Sequence, residues 1–268
     1  MTMGRSDKIY IGTNTKMYKT IQETVDFLDR LKKLTADLDR DRCQLFVIPS
    51  YTALEKASQV VSDNFILLGA QNMAWEEKGQ YTGEISPIML KEAGTKLVMI
   101  GHSERRHILG ETDEEENKKV CCALEHGFTV LLCIGETQEQ KKKNIADEIL
   151  KLQLKLGLYK VTRKQSQKLW IAYEPVWAIG TNGIPASKEY ADEKHEVIKK
   201  ALAEIFGREA GAEIPVLYGG SVNNENAKEL IQMPNIDGLF IGRSAWDADN
   251  FNRIIRMLAP IKQSGFQL

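Results

Sequence analysis

The chain has 268 residues, 43% of them apolar and 27% charged, and its 36 basic and 37 acidic side chains leave a formal net charge of −1. That balance excludes a strongly basic nucleic-acid footprint and a polybasic membrane patch. The longest near-continuous apolar run, from Phe128 to Ile134, is far short of the roughly 20 residues that a membrane helix needs.

The N-terminal stretch Met1-Thr-Met-Gly-Arg-Ser-Asp-Lys8 is polar and shows no apolar signal-peptide core. Cys43, Cys121, Cys122 and Cys133 form no C-x-x-C pair, and adjacent Cys121 and Cys122 are badly placed for a bridge. A reduced, cytoplasmic chain is the expectation. Short apolar runs at 8–13, 44–48, 66–70, 97–101, 129–134, 169–173, 215–218 and 238–241 read as strands buried on both faces. Residues 20–36 predict an amphipathic helix with Ile21, Val25, Leu28, Leu31 and Leu34 near one face and Phe27 at its edge. Residues 113–126 and 144–156 read likewise, and 189–206 presents Val197, Ile198, Leu202 and Ile205 as its apolar stripe. The acidic run 113–116 and the basic run 141–143 read as solvated faces or helix starts. Eight strand–helix units in a chain of about 250 residues match a single α/β domain over 1–268, a (β/α)8 barrel, better than a doubly wound sheet of the same periodicity. No linker or composition shift marks a second domain.

Barrel enzymes carry their chemistry at the C-terminal ends of the strands. Those ends read Gly12-Thr-Asn-Thr-Lys-Met17, Gly101-His-Ser-Glu-Arg-Arg106, Cys133-Ile-Gly-Glu136, Tyr173-Glu-Pro-Val-Trp-Ala-Ile-Gly-Thr181, Tyr218-Gly-Gly-Ser-Val222 and Gly242-Arg-Ser244. They supply one ammonium, one imidazole, one or two carboxylates and glycine-containing turns whose backbone N–H groups suit a phosphate. None of these is specific alone; their joint placement at one barrel mouth is.

With Gly69-Ala-Gln-Asn72 and Thr82-Gly-Glu-Ile-Ser-Pro87 added to these stretches, the chain resembles triosephosphate isomerase over nearly its whole length. The resemblance implies a TIM barrel and a cofactor-free, metal-free isomerase. It implies that Glu174 is the base that moves a proton between adjacent carbons, that His102 polarises the carbonyl, and that Lys16 offsets substrate charge beside Asn14. It implies a lid beginning at residues 175–181 and phosphate binding by Gly180, Ser221 and the amides of Gly242 and Arg243. It implies a homodimer built through the loop from Ala74 to Tyr81 and on to Ser86, with Thr82 reaching toward the neighbouring site. Arg105 and Arg106 read as ion-pair partners ordering the loop after the fourth strand, and Glu104 as paired to arginine or near the site. Glu136 reads as an acidic helix start, Cys133 as a small buried residue near the site, His107 as structural, and His126 and His195 as surface helix positions.

Four departures stand against the family pattern. Thr15 replaces the usual Trp, Tyr18 replaces the usual Asn, the second lid hinge reads Asn182-Gly-Ile-Pro-Ala-Ser187, and the eighth-strand turn is Gly242-Arg243 instead of Gly-Gly. Its Arg243 amide serves a phosphate provided the turn needs no positive φ there. These features resemble a branch of the family that interconverts L-erythrulose 1-phosphate and D-erythrulose 4-phosphate. An ordinary triosephosphate isomerase is the alternative substrate reading. An aldolase using Lys16 as a Schiff-base amine, or a phosphate-sensing barrel, are the readings from other classes; the joint presence of Lys16, His102 and Glu174 speaks against both.

Overall fold

A computed structural model describes residues 8–62, 64–180 and 183–261. Eight parallel strands close into a barrel in sequence order: β1 (Ile9–Asn14), β2 (Cys43–Ile48), β3 (Leu67–Ala70), β4 (Leu97–Ile100), β5 (Thr129–Ile134), β6 (Leu169–Tyr173), β7 (Val216–Tyr218) and β8 (Gly238–Ile241). Closure is made by β1 pairing with β8, Tyr10 opposite Gly238 and Thr13 opposite Ile241. That pairing removes the doubly wound alternative, whose sheet has open edges.

The helices are α1 (Ile21–Leu34), α2 (Leu54–Val60), α3 (Pro87–Glu92), α4 (Ser103–His107), α5 (Asp113–Glu125), α6 (Gln138–Lys142), α7 (Ala146–Gly157), α8 (Lys188–Phe206), α9 (Arg208–Glu213), α10 (Ala227–Ile231) and α11 (Ala248–Leu258). Their starts are written in the sequence. Thr20 with Glu23, Thr112 with Glu115 and Thr137 with Gln140 each form a reciprocal capping box, which satisfies two otherwise orphaned N–H donors per helix. Among the described residues no helix is long and apolar enough to cross a membrane.

Side chains alternate across each strand. Leu45 and Val47 face the helices while Phe46 and Ile48 face the interior; Leu169 and Ile171 face out while Trp170 and Ala172 face in. The interior is therefore a packed core, with Phe46 against Phe240 at 5.7 Å and against Trp170 at 5.6 Å between ring centroids. A Cβ on Gly12 would fall 2.4 Å from the Phe46 ring, so the large ring on β2 requires a missing side chain on β1. Truncating Phe46 to Ala should cost about 3–5 kcal/mol. The alternation continues one step past β6 and directs Glu174 toward the barrel mouth.

Three expectations fail, each for a tertiary reason. In α1 the buried positions are Thr24, Phe27, Leu28 and Leu31, while Ile21 is exposed. Thr24 is tolerated inside because its hydroxyl donates to the Thr20 carbonyl at 2.8 Å. In α8, His195 is fully buried against the Tyr173 and Tyr218 rings, and Lys199 is buried on Asp237 at 2.9 Å, whereas Val197 and Ile205 are only half-buried. In α5 the acidic run 113–116 does form the helix start, but Glu116 within it is fully buried beside the Arg106 guanidinium. His126, by contrast, is half-buried, with Nε2 2.9 Å from Glu77.

Candidate active site

The loops after β1, β4, β6, β7 and β8 enclose a cleft of about 460 Å³ at the C-terminal mouth of the barrel. It is lined by Asn14, Lys16, His102, Glu174, Gly180, Ser221, Gly242 and Arg243, so the residues expected to catalyse or to bind substrate are brought to one place. Tyr18, Glu104, Phe240 and Trp246 complete much of the wall.

Lys16 has φ +52°, a left-handed conformation that a non-glycine residue adopts at a cost. The cost is met by hydrogen bonds. Asn14 Oδ1 accepts from the Lys16 N–H at 2.7 Å, and Gln71 donates to both Asn14 Oδ1 at 3.1 Å and the Lys16 carbonyl at 2.8 Å. The ammonium so placed lies 2.7 Å from Glu104 Oε1. Glu104 is thus paired with the cleft lysine and not with an arginine. Arg105 binds Glu111, and Arg106 binds Asp113, the Gly101 carbonyl and the Cys133 carbonyl, ordering the loop after β4 as expected.

His102 caps α4 with its ring. Nδ1 accepts the Glu104 N–H at 3.2 Å; a backbone N–H only donates, so the ring proton resides on Nε2. Nε2 lies 3.5 Å from Glu174 Oε1, and the other carboxylate oxygen accepts the Ser103 N–H at 3.2 Å. Both side chains are almost fully buried. Cys133, fully buried nearby, has its thiol driven upward by burial and by the Glu174 carboxylate, so it stays protonated.

Gly180 has φ +89°, and no atom lies within 4 Å of the space beside it that a Cβ would take. Arg243 opens a short 3-10 turn, Arg243–Ala245, without a positive φ, which meets the condition for its amide to serve the site. Thr181 and Asn182, part of the lid and its hinge, lie outside the described residues. The hinge resumes at Gly183; Ile184 N–H donates to the Trp177 carbonyl at 3.2 Å, and Ser187 caps α8.

Glu136 is the main residue whose place the sequence misassigned. It is not a helix start, since Thr137 caps α6. It is fully buried and accepts from the Tyr173 hydroxyl at 3.0 Å, the Trp177 indole at 2.8 Å and the Tyr190 hydroxyl at 2.9 Å. Lys141, from a run expected to be solvated, sits 3.3 Å from the Trp177 ring centroid. The segment after β6 that carries Trp177 is therefore clamped between β5, β6 and α8. Gln71 and Trp246 were also missed, and Tyr18, named only as a departure, was given no place in the site. Gln71 stands just past the end of β3, where the strand-end rule would have found it.

The sequence matches the triosephosphate isomerase family over residues 9–258. It is 48% identical to the L-erythrulose-1-phosphate isomerase of Rhizobium etli over 259 residues, 96% of this chain and 95% of that one. It is 46% identical to the protein of the same name from Rhizobium meliloti, over 94% of this chain and 97% of the relative. With the protein of that name from Brucella abortus it shares 45% identity, over 96% of this chain and 99% of the relative. A closed eight-stranded barrel, the grouping of lysine, histidine and glutamate at its mouth and a match of this extent agree: the chain belongs to the triosephosphate isomerase family.

Proposed function

We propose that this protein is a cofactor-independent sugar-phosphate isomerase that interconverts L-erythrulose 1-phosphate and D-erythrulose 4-phosphate. The observation that carries the reading is the buried pair Glu174 and His102, 3.5 Å apart in a cleft that Gly180, Ser221 and Gly242 also line. The near full-length similarity to proteins named for this activity supports the four-carbon substrate.

Glu174 removes the proton from the carbon next to the carbonyl, on the side away from the phosphate. The C–H electron pair forms the enediolate double bond, and negative charge develops on the former carbonyl oxygen. The Nε2–H of His102 and the ammonium of Lys16 stabilise that oxygen. The former carbonyl oxygen takes the Nε2 proton of His102, the neighbouring hydroxyl gives its own proton back to Nε2 and becomes the new carbonyl, and protonated Glu174 returns a proton to the former carbonyl carbon. Nothing is oxidised or reduced overall. A tetrulose phosphate differs from the triose only by a CH2OH on the non-phosphorylated side, so the same steps apply. A lid closing over the phosphate excludes water and guards the enediolate against phosphate loss. Gly180, Ser221 and the amides of Gly242 and Arg243 hold the phosphate in this reading, and Asn14 supports Lys16.

The second reading, conversion of dihydroxyacetone phosphate to glyceraldehyde 3-phosphate in glycolysis and gluconeogenesis, uses the same residues. The family match keeps it in play. Assays of kcat/KM for both substrates on one preparation, with Glu174→Gln as blank, decide between them. Preference for the tetrulose phosphate upholds the proposal; preference for the triose by orders of magnitude replaces it. Equal rates in blank and wild type would remove the catalytic reading.

A homodimer through residues 74–86 is part of the proposal, supported by the exposed apolar side chains Met17, Tyr81, Met89, Ile108 and Leu109. One domain over 1–268 and a cytoplasmic location complete it, the latter supported by Cys43, Cys121, Cys122 and Cys133 all being free thiols.

A further inference from the structure

We propose that the guanidinium of Arg243 binds the substrate's phosphate, adding a second cation to the cleft beside Lys16. The inference rests on the phosphorylated-substrate reading above and adds a residue to it.

The argument is a charge census of the cleft. Among its lining residues the charged side chains are Lys16, Glu104, Glu174 and Arg243. Lys16 is committed to Glu104 at 2.7 Å. His102 uses Nδ1 as an acceptor and so presents a neutral ring. Without Arg243 the lining holds one ammonium against two carboxylates. With Arg243 the formal charge of the lining is balanced, and the added charge stands on the turn after β8 that lines the cleft.

The guanidinium is available for this. Among the described residues the Arg243 side chain has no hydrogen bond or ion pair, unlike Arg105 and Arg106, which are fully engaged. Arg243 is exposed, at the first position of a 3-10 turn whose backbone accepts a side chain without a positive φ. The flanking Gly242 has no atom within 4 Å of the point where a Cβ would stand, so the turn has room for an incoming group. A planar guanidinium matches two phosphate oxygens at once, which a turn of amides alone does not reproduce with charge. An exposed cation of this kind binds ground state and transition state alike and speeds encounter; it acts on KM and on ionic-strength dependence, and leaves kcat alone.

The test uses the full-length protein with Arg243→Gln, Arg243→Gly and Arg243→Lys, the glycine variant carrying the residue usual in the family. Inorganic phosphate is the binding probe, titrated by calorimetry, and steady-state kinetics are run with L-erythrulose 1-phosphate at several ionic strengths. Gln and Gly should each raise the phosphate Kd and the KM about tenfold, with kcat within about twofold. Lys should recover most of the loss, and the salt dependence of kcat/KM should flatten in Gln and Gly. A phosphate Kd within twofold of wild type in both uncharged variants overturns the proposal, as does a fall in kcat at unchanged KM. Phosphate binding is read without turnover. A wild type that binds phosphate through Arg243 yet turns over no sugar phosphate would therefore remove the proposed function and leave this assignment standing.

Discussion

The indole N–H of Trp246 donates to the backbone carbonyl of Asn14 at 2.8 Å, tying the turn after β8 to the turn after β1. The Tyr18 ring covers this link, its centroid 4.5 Å from that of Trp246. Asn14 in turn holds the Lys16 N–H, so the bond acts one step removed from the ammonium. Trp246→Phe keeps the aromatic packing and deletes the donor. It should cost about 1 kcal/mol of stability, and lower kcat/KM about fivefold by loosening Lys16. A double-mutant cycle with Lys16→Met separates positioning from plain stability: in the Met background Trp246→Phe should cost no further activity. A full additional loss there would show that the indole acts elsewhere.

Glu136 gathers three donors, from β6, the segment after it and α8. Burial and the Glu136 carboxylate both push the Tyr190 phenol upward, so it remains a donor. Glutamine has one acceptor oxygen and adds two donors of its own, so Glu136→Gln leaves buried groups opposed. It should cost about 2–3 kcal/mol, against about 1 kcal/mol for Tyr190→Phe, which removes a single donor. Urea denaturation midpoints compare the two. Equal costs would mean that Trp177 and Tyr173 keep their bonds in the amide variant.

Glu136 also shows where the sequence stopped being legible. The strands were readable because each is a run of residues buried on both faces, and most strand bounds shift by one residue or none between expectation and structure. Residues at strand ends were readable because the barrel gathers them at one mouth. Burial of a charge was not readable, because it depends on partners far along the chain. Glu136 needs Trp177 and Tyr190, 41 and 54 residues away. Lys199 needs Asp237, 38 residues away. Local periodicity gave Glu116 to solvent; Arg106, arriving from the loop after β4, keeps it inside. Tyr18 stood out as a departure from the family pattern, but nothing local showed that its ring stacks on Trp246.

Burial pushes the Glu116 carboxyl from its ordinary value up to about 8, with the Arg106 guanidinium pulling the other way. The folded protein therefore holds a proton that the unfolded chain releases near pH 4.5. Stability from this group is undiminished below that pH and falls as pH rises from about 4.5 to about 8. Glu116→Gln removes the titration. The wild type minus variant difference in unfolding free energy should decline across that window by on the order of 2 kcal/mol, the Arg106 pairing taking up the rest. Denaturation at pH 5, 6.5 and 8 measures it. A flat difference would mean that Arg106 keeps Glu116 ionised throughout.

Gly219 and Gly135 approach Glu174 from two sides, and alanine at each should fail differently. A Cβ on Gly219 would lie 2.9 Å from Glu174 Cγ, the stem of a side chain that can move. A Cβ on Gly135 would lie 1.9 Å from the Glu174 carbonyl oxygen, which is backbone and cannot move without β6. Gly219→Ala should therefore fold with a Tm within a few degrees of wild type while kcat falls about tenfold or more, since a displaced base no longer meets the reacting carbon. Gly135→Ala should lose about 3 kcal/mol or more of stability, whatever its residual activity. Thermal melts and kcat on the same preparations read both. If Gly219→Ala keeps full kcat, Glu174 works from a position other than the one it holds beside Ser103, and the base must swing clear of this contact before the proton is taken.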